Sequence, residues 1–294
     1  MILADMHMHS ARSDGTDTPE ELLKIIRKRG IACFSLTDHD TIAGCAEMDR
    51  LAVPADGFVR GVELSCKTAL RKCHVLGYAY DPCSEAMRTL MTYVAEMRLE
   101  RLETRLRFME EAYGIVFSEA EKNRLRHTES VGKPHIASLL IEKGYAASIG
   151  EAIKNYLSSK DMQDGNLPAE SGIRAILAAG GIPVWAHPLG GENARHITPE
   201  EFFPQLELLI SCGLQGLECY YSRYSAAETA FLVAAAQERG LYISGGSDYH
   251  GKRKSIAPGV LSSEGMQVPA QKLTILQEYV KRGIIKPFDT GLQE

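Results

Sequence analysis

The stretch ILADMHMHSARSDGTDTPEELLKIIRKRGIACFSLTDHD occupies residues 2–40 and decides the fold class. A short apolar run leads into two histidines, a helix signal follows, and a second apolar run leads into T-D-H-D. Thr18, Pro19 and Glu21 have the spacing of a capping box with proline at the first helical position, and Gly30 predicts the helix end. The run 31–37 is typical of a buried strand. We therefore expect a β-α-β unit with polar side chains after each strand.

The same alternation of strand and helix signals covers residues 1–83 and returns in 172–294. Between them, residues 84–171 have an almost wholly helical pattern in which Met, Leu, Glu and Arg dominate. This rhythm predicts an α/β fold. We expect two units: a metal-binding unit built from 1–83 and 172–294, and a helical insertion, 84–171, that forms a substrate-binding lobe.

The composition excludes several classes of protein. The net charge of −5 provides no basic surface for duplex DNA. No apolar run approaches the roughly 20 residues of a membrane span, and the first residues do not resemble a signal peptide. Seven cysteines without a C-x-x-C pair indicate free thiols. We expect a cytoplasmic protein with no membrane partner.

Histidines provide the main functional signal. Seven of the nine lie in polar motifs beside a strand or an apolar run, and only His127 and His196 have ordinary surface contexts. Active sites of α/β proteins form where the ends of several strands converge. We expect these seven to meet in space: His7, His9, His39, His74, His135, His187 and His250.

The residue types indicate metal binding. His7 and His9 have the i, i+2 spacing that places two side chains on one face of a strand. Glu63 lies within an apolar strand and needs a partner, for which a cation is the best candidate. Histidine with carboxylate ligands suits Mn, Zn or Fe, and more than four ligands imply more than one ion. With Glu63 as a bridge, paired ions would hydrolyse phosphate esters.

The order of motifs resembles the PHP (polymerase and histidinol phosphatase) superfamily of phosphoesterases. D-x-H-x-H, S-D-G-x-x-x-P-E-E, T-D-H-D, G-x-E-x-S, H-x-x-G, A-H-P and S-D-Y-H occur in sequence within about 1–83 and 172–257. The resemblance implies a distorted (β/α)7 barrel with a helical insertion lobe. The insertion, and Asp14 where the histidinol phosphatase branch commonly has histidine, make the chain most similar to nucleoside 3′,5′-bisphosphate phosphatases, exoribonucleases and cyclic-phosphate dihydrolases.

The resemblance also implies three metal sites, of which the first two share Glu63. The first would use His7, His9, Glu63 and Asp248. The second would use Glu63, His74 and His187. The third would use Asp14, His39 and His250. We expect two or three divalent ions, with Mn as the first choice and Fe or Zn as alternatives.

The resemblance assigns the remaining roles as follows. Asp40, His187 and Asp248 are the expected catalytic residues, with Asp38 and Asp40 orienting ligands and Asp40 or His187 moving a proton. In the insertion, four residues resemble phosphate-binding positions: Arg98, Arg101, Lys133 and His135. Arginines at i, i+3 among glutamates are also typical of a solvated helix face.

The expected function is a phosphatase or phosphodiesterase that uses metal-activated hydroxide on small nucleotide or sugar phosphates. A nucleoside 3′,5′-bisphosphate and a five-membered cyclic phosphate are the preferred substrate types. Three alternatives stay open: a 5′-3′ exoribonuclease on short RNA, an amidohydrolase that cleaves C–N bonds, and a non-catalytic PHP-like regulatory module. The sequence leaves the native substrate, the native metal and the oligomeric state undecided.

Overall fold

A computed structural model describes residues 2–159, 165–191 and 195–287 of the 294-residue chain. The strands of this part are β1 (Leu3–Asp5), β2 (Ile31–Leu36), β3 (Phe58–Lys67), β4 (Lys72–Tyr78), β5 (Leu167–Pro168), β6 (Ile182–Ala186), β7 (Gly216–Tyr221) and β8 (Tyr242–Gly246). Its α-helices are α1 (Pro19–Arg29), α2 (Ala43–Leu51), α3 (Glu85–Tyr113), α4 (Glu119–Arg126), α5 (Lys133–Glu142), α6 (Ile149–Tyr156), α7 (Ala169–Ala178), α8 (Pro199–Ser211), α9 (Ala226–Glu238) and α10 (Ile275–Lys281).

The strands form one sheet that curls into a nearly closed barrel. Their order is β1-β2-β3-β4-β6-β7-β8, with β5 paired to β3. The two ends of this order meet where the Met6 amide donates to the Gly245 carbonyl at 3.0 Å and the Asp248 amide donates to the His7 carbonyl at 2.8 Å. The structure thus confirms the expected α/β barrel.

One strand departs from a uniform parallel alternation. β4 runs antiparallel to both β3 and β6. The turn between β3 and β4 is short, since the Thr68 amide already donates to the Arg71 carbonyl at 2.9 Å, and so short a link cannot hold a crossover helix. Because β4 is reversed, its first residues, including His74, lie at the edge where the parallel strands end.

The first helix forms as its sequence predicts. The Thr18 hydroxyl accepts from the Glu21 amide at 3.2 Å, and the Glu21 carboxylate accepts from the Thr18 amide at 2.8 Å. Gly30 closes the helix with φ of 67°, a left-handed conformation that glycine adopts without strain. This helix fixes the loop before it, which contains Asp14.

Separate hydrophobic clusters lie in the barrel and in the helical insertion. Residues from five strands and α10 form one cluster, which includes Ala4, Leu76 and Tyr279. Within the insertion, α3 to α6 bury a separate cluster that runs from Leu102 to Leu157. The first half of α3 instead packs with the barrel. α7 also packs on the barrel. The division at 84–171 stays a prediction.

Within the described residues, no helix is both long enough and apolar enough to cross a membrane. The seven cysteines all lie in this part of the chain and are free thiols.

Candidate metal centre

The nine residues predicted as metal ligands converge at one edge of the barrel. His7 and His9 follow β1, His39 follows β2 and His187 follows β6. Glu63 lies within β3 and forms a parallel bridge with His39. The remaining members come from the loop before α1, from β4 and from the segment after β8: Asp14, His74, Asp248 and His250. All nine are buried or half-buried. Their role as ligands stays a prediction.

Glu63 lies at the centre of the group, and its two oxygens face different histidines. Oε1 is 2.8 Å from Nδ1 of His74 and 2.9 Å from Nε2 of His187. Oε2 is 3.1 Å from Nε2 of both His7 and His9. Oε2 is also 3.2 Å from Nδ1 of His39. A carboxylate whose two oxygens face separate groups of histidines has the arrangement of a bridge between two cations.

Several contacts in this group are unfavourable for a protein alone. Among the described residues, Oε2 of Glu63 and Nδ1 of His9 are buried without a hydrogen-bond partner. Nε2 of His7 lies 3.1 Å from Nε2 of His9, and Nδ1 of His74 lies 3.2 Å from Nε2 of His187. Two nitrogens bound to one tetrahedral ion at about 2.1 Å are about 3.4 Å apart. The donor set therefore fits divalent cations.

Asp248 directs one carboxylate oxygen at His7 and His9. Its Oδ1 lies 3.4 Å from Nε2 of His9 and 3.7 Å from Nε2 of His7. Its Oδ2 accepts from the Tyr221 hydroxyl at 2.8 Å and from Nζ of Lys254 at 2.6 Å. These two donors fix the carboxylate, so that Oδ1 remains available. His7, His9, Glu63 and Asp248 form a group whose ligand atoms lie within 4.8 Å of one another.

Asp14 is the centre of another group. Its Oδ1 lies 3.3 Å from Nε2 of His250, and its Oδ2 lies 4.0 Å from Nε2 of His39. The Asp248 carbonyl accepts from Nδ1 of His250 at 2.8 Å, which leaves Nε2 of that ring facing Asp14. The ligand atoms of His9, Asp14, His39 and His250 also lie within 4.8 Å of one another.

The electrostatics of the cluster favour a bound cation. Burial opposes ionisation of Glu63, but the charges of His39 and His7 hold its pKa well below the usual value. Burial likewise opposes protonation of His9, yet Asp248 and Glu63 raise its pKa to about 9. The carboxylates thus draw protons onto buried imidazoles, and a metal ion would replace those protons.

Glu218 is a supporting residue that the sequence reasoning missed. Its Oε1 lies 2.9 Å from Nδ1 of His7, and its Oε2 accepts from the His187 amide at 2.6 Å. Such a contact holds the ring so that its other nitrogen faces the cluster. The available signal was the carboxylate inside the apolar strand β7, the pattern that singled out Glu63 in β3.

The three residues predicted to be catalytic share an uncommon backbone conformation. Asp40, His187 and Asp248 have φ values of 51°, 28° and 56°. Among the described non-glycine residues, only Ala79 also has a positive φ. Positive φ is disfavoured for residues with a Cβ and clusters at functional sites. Asp40, His187 and Asp248 lie four, one and two residues after the ends of β2, β6 and β8.

A cavity of about 810 Å³ opens onto the cluster. It is lined by seven of the nine predicted ligands, namely Asp14, His39, Glu63, His74, His187, Asp248 and His250. Its other walls include Ser148 and Ile149 at the start of α6, and Pro134 in α5. The insertion therefore supplies part of the cavity wall. The volume of the cavity is typical of small-molecule sites.

The predicted phosphate-binding arginines make internal contacts. Arg98 donates from Nε to Oδ2 of Asp40 at 2.8 Å, and from Nη1 to the Val131 carbonyl at 2.9 Å. Nη2 of Arg101 lies 3.7 Å from the same Asp40 oxygen. Neither arginine is among the cavity-lining residues. Their role in substrate binding stays a prediction, and the structure assigns them a contact with Asp40.

The same contacts bear on Asp40 as a proton carrier. Its Oδ1 accepts from the Ser65 amide at 2.7 Å, and its Oδ2 is paired with Arg98. Burial opposes ionisation, but the charge of Arg98 lowers the pKa of Asp40 below its usual value. An ionised carboxylate with both oxygens occupied is better suited to holding the His39 loop than to proton transfer.

His135 and Lys133 lie at the start of α5. The Gly132 amide donates to Nδ1 of His135 at 3.0 Å, so this ring caps its own helix. Burial is the main reason that the pKa of His135 is lowered, and the charge of Arg253 adds to it. Lys133 is the first residue of the helix. Their binding roles stay predictions.

Basic residues of the cavity wall that the sequence reasoning passed over follow β8. Arg253 and Lys254 both line the cavity. The segment G-K-R-K directly after S-D-Y-H was the signal, because it puts three consecutive cations beside a predicted metal ligand. Their contacts with the rest of the cavity depend on a turn that the sequence does not specify.

Comparison with known proteins gives several relatives that match most of the chain. The chain is 30% identical over 254 residues to a 5′-3′ exoribonuclease of Haemophilus influenzae, covering 84% of this chain and 89% of the relative. It is 29% identical to a phosphoribosyl 1,2-cyclic phosphate 1,2-diphosphodiesterase of Eggerthella lenta, covering 92% and 100%. It is 28% identical to a 3′,5′-nucleoside bisphosphate phosphatase of Chromobacterium violaceum, covering 85% and 88%. No family model matches the chain.

Solved structures agree on the architecture. A protein of Chromobacterium violaceum described as an amidohydrolase, with bound sulfate and no metal, superposes with a TM-score of 0.80 at 26% identity, covering 95% of this chain and 96% of that one. A Bifidobacterium adolescentis protein, provisionally named a metal-dependent phosphoesterase, gives 0.78 at 26% identity with coverage of 95% and 96%.

The three curated relatives are named for reactions on phosphate esters, and the Bifidobacterium adolescentis structure is provisionally described as a metal-dependent phosphoesterase. The site combines carboxylates and histidines in an arrangement that suits divalent metals. The chain therefore belongs to the PHP superfamily of metal-dependent phosphoesterases, enzymes that hydrolyse phosphate ester bonds.

Proposed function

We propose that this enzyme hydrolyses small ribose phosphates, of the nucleoside 3′,5′-bisphosphate or five-membered cyclic phosphate type, with two or three divalent ions. The observation that carries this proposal is Glu63, whose Oε1 faces His74 and His187 while its Oε2 faces His7 and His9. A bridge of this kind serves a multinuclear site, and Mn is our first choice of metal.

The first and third proposed ligand sets lie within the two groups of side chains described above, and the second is supported by the contacts of Glu63 Oε1 with His74 and His187. His7, His9, Glu63 and Asp248 would hold the first ion, Glu63, His74 and His187 the second, and Asp14, His39 and His250 the third. Bound divalent ions would activate water and neutralise the charge on the phosphoryl oxygens. No thiolate belongs to any of these sets, which argues against a structural zinc site.

The chain's own side chains would orient this chemistry. Tyr221 and Lys254 fix Asp248 through its Oδ2, and Glu218 fixes His7 through Nδ1. Asp40, ion-paired with Arg98, would hold the loop of His39 in place. Of the three residues predicted to be catalytic, His187 and Asp248 line the cavity and would contact a substrate there.

The cavity supports a small substrate. Its volume of about 810 Å³ lies in the range of about 300–1,000 Å³ that small-molecule sites occupy. The Eggerthella lenta relative is named for a phosphoribosyl cyclic phosphate and the Chromobacterium violaceum relative for a nucleoside bisphosphate. Both names describe compact ribose phosphates. The helical insertion, which lines the cavity through α5 and α6, would act as the substrate-binding lobe.

A 5′-3′ exoribonuclease acting on short RNA is the second candidate. The Haemophilus influenzae relative has that name, and three basic residues of the cavity wall could contact a longer backbone: Arg71, Lys72 and Arg195. Carbon–nitrogen hydrolysis is not favoured, because the three curated relatives described above are named for reactions on phosphate esters. We also propose a reducing compartment such as the cytoplasm, because the cysteines are free thiols.

A substrate panel separates these candidates. Mn-loaded protein would be assayed for phosphate release or ring opening with adenosine 3′,5′-bisphosphate, a ribose 1,2-cyclic phosphate and a 5′-phosphorylated RNA trimer. We expect the highest kcat/KM with one of the first two. A higher kcat/KM for the trimer would favour the exoribonuclease, and turnover of none of them would refute the proposal.

A further inference from the structure

We propose that Arg253 binds a second phosphate group, one that the substrate keeps through the reaction, and so selects ribose phosphates that carry two phosphate functions. This inference rests on the proposed function. It assigns the selection to the turn after β8, whereas the sequence motifs direct attention to the arginines of α3.

The turn that carries Arg253 is fixed at both ends. Gly251 has φ of 66°, and a Cβ added there would lie 2.0 Å from Oγ1 of Thr16. The same hydroxyl oxygen accepts from the Lys252 amide at 2.9 Å. On the other side, Nζ of Lys254 lies 2.6 Å from Oδ2 of Asp248. The backbone of Arg253 is therefore held between the Thr16 loop and the predicted metal cluster.

The side chain of Arg253 has an unused donor. It lines the cavity, and its Nη1 is buried without a hydrogen-bond partner among the described residues. A buried donor without a partner has lost its contacts with water and gained none in return, which is costly. An anionic oxygen in the cavity would satisfy this donor, and guanidinium matches phosphate through two parallel hydrogen bonds.

The predicted phosphate-binding side chains nearby have other partners. Arg98 uses Nε and Nη2 on Asp40 and Nη1 on the carbonyls of Ser130 and Val131. Nδ1 of His135 accepts from the Gly132 amide. To bind phosphate, Arg98 would first have to release a buried carboxylate. Arg253 can accept an anion without breaking a contact that the structure shows for Nη1.

The substrate class follows from the position of Arg253. The predicted ligands Asp14 and His250 line the same cavity and would hold the ions at which the scissile group binds. A cation on the same wall, with no predicted ligand role, suits a phosphate that is not cleaved. A ribose that carries a phosphate monoester beside the scissile ester supplies both groups within one small molecule.

Binding without turnover tests this inference. Adenosine 3′,5′-bisphosphate and adenosine 3′-monophosphate would be titrated calorimetrically into the metal-free protein. We expect the parent to bind the bisphosphate at least about 10-fold more tightly, because charge-assisted hydrogen bonds to a second phosphate favour it. Arg253→Met should weaken bisphosphate binding by about 10- to 100-fold and remove the preference.

Two further variants complete the design. Arg253→Lys keeps the positive charge but loses the two parallel guanidinium donors, and it should retain part of the preference for the bisphosphate. Arg107→Met removes the same charge from an exposed position on α3 that does not line the cavity, and should bind like the parent. A preference that survives in Arg253→Met, or an equal loss in Arg107→Met, would overturn the inference. Unfolding midpoints would show whether each variant is folded. If Arg253→Met does not fold, the bisphosphate preference of Arg253→Lys, compared with that of the parent, decides the test.

The two levels of the proposal can fail separately. If Mn-loaded parent protein hydrolyses none of the phosphate esters, the proposed function is wrong even when the binding preference for two phosphates holds. If it hydrolyses them while the metal-free parent shows no preference between bisphosphate and monophosphate, only the role of Arg253 is wrong.

Discussion

Nη2 of Arg98 lies 2.7 Å from Oδ2 of Asp40, and this buried ion pair joins the helical insertion to the loop that carries His39. The side chain of Arg98 is 10% exposed and that of Asp40 is not exposed. Asp40 in turn accepts from the Ser65 amide. The orientation of the lobe and the position of a predicted metal ligand are thereby linked through two side chains.

Breaking the ion pair of Arg98 and Asp40 should lower the free energy of unfolding substantially. We expect Arg98→Met to destabilise the protein by about 3–5 kcal/mol, because it leaves a buried carboxylate with reduced compensation. In a double-mutant cycle with Asp40→Asn, the two losses should be less than additive by about 0.5–3 kcal/mol. Urea unfolding followed by circular dichroism would measure each free energy. Arg174→Met, at an exposed pair with Glu170, is the control with a much smaller effect, and strict additivity of the Arg98 and Asp40 losses would contradict the linkage.

Divalent metal should stabilise the folded chain. At a free metal concentration about 100 times Kd, binding adds about 2.7 kcal/mol, which should raise Tm by several degrees in differential scanning calorimetry. Glu63→Gln should lose most of this rise, because one residue serves two of the proposed sites. Glu47→Gln, which removes a surface partner of Arg12, should keep the full rise. An undiminished metal response in Glu63→Gln would be inconsistent with the bridge.

The basic turn after β8 can be tested through two glycines with the same backbone conformation. Gly251 and Gly240 have φ of 66° and 63°, but only Gly251 has an atom within 4 Å of an added Cβ. Both alanine variants place a residue with a Cβ in a left-handed conformation, which costs about 1–2 kcal/mol. Gly251→Ala must also displace Thr16, so we expect an additional loss of stability and weaker binding of adenosine 3′,5′-bisphosphate. Equal bisphosphate affinities in the two variants would show that the turn does not position Arg253.

Thiol reactivity checks the packing around the barrel. Cys83 is the exposed cysteine and Cys212 is half-buried, whereas the other five are buried: Cys33, Cys45, Cys66, Cys73 and Cys219. Burial raises the pKa of the Cys33, Cys45 and Cys73 thiols and so lowers their thiolate fraction. With an aromatic disulfide reagent we expect one thiol of the native protein to react fast, and this fast phase should be lost in Cys83→Ser. Rapid reaction of five or more thiols in the native protein would contradict this packing.

Local sequence signals predicted several helix ends and strands of this protein well. The capping box of Thr18, the stop at Gly30 and the strand predicted at 31–37 depend on neighbours in sequence, and the structure shows each of them, the strand as Ile31–Leu36. Six of the seven histidines that were expected to meet lie in the cluster, whereas His135 caps α5 in the insertion. Such features can be predicted because strand direction and helix caps are set by a few adjacent residues.

Contacts between distant segments were harder to predict. The reversal of β4 depends on a four-residue hairpin, and the partners of Arg98 lie 58 and 33 residues away at Asp40 and Val131. The strand pattern identified Glu63 but not Glu218, although both are carboxylates in apolar strands. Arg253 was missed because its unused donor becomes evident only once the cavity around it exists.

The most direct test of the central claim compares the Mn-loaded parent protein with the Asp248→Asn variant on two substrates. Hydrolysis of adenosine 3′,5′-bisphosphate would be measured as phosphate release, and hydrolysis of a ribose 1,2-cyclic phosphate as ring opening. Asp248→Asn should keep the fold, since Tyr221 and Lys254 can still contact the side chain, yet lose at least about 100-fold in kcat/KM, which corresponds to about 2.7 kcal/mol of transition-state stabilisation. Turnover of at least one substrate by the parent, with this loss in the variant, is the result we expect. No turnover by the parent, or a variant as active as the parent, would contradict a metal-dependent phosphoesterase centred on these residues.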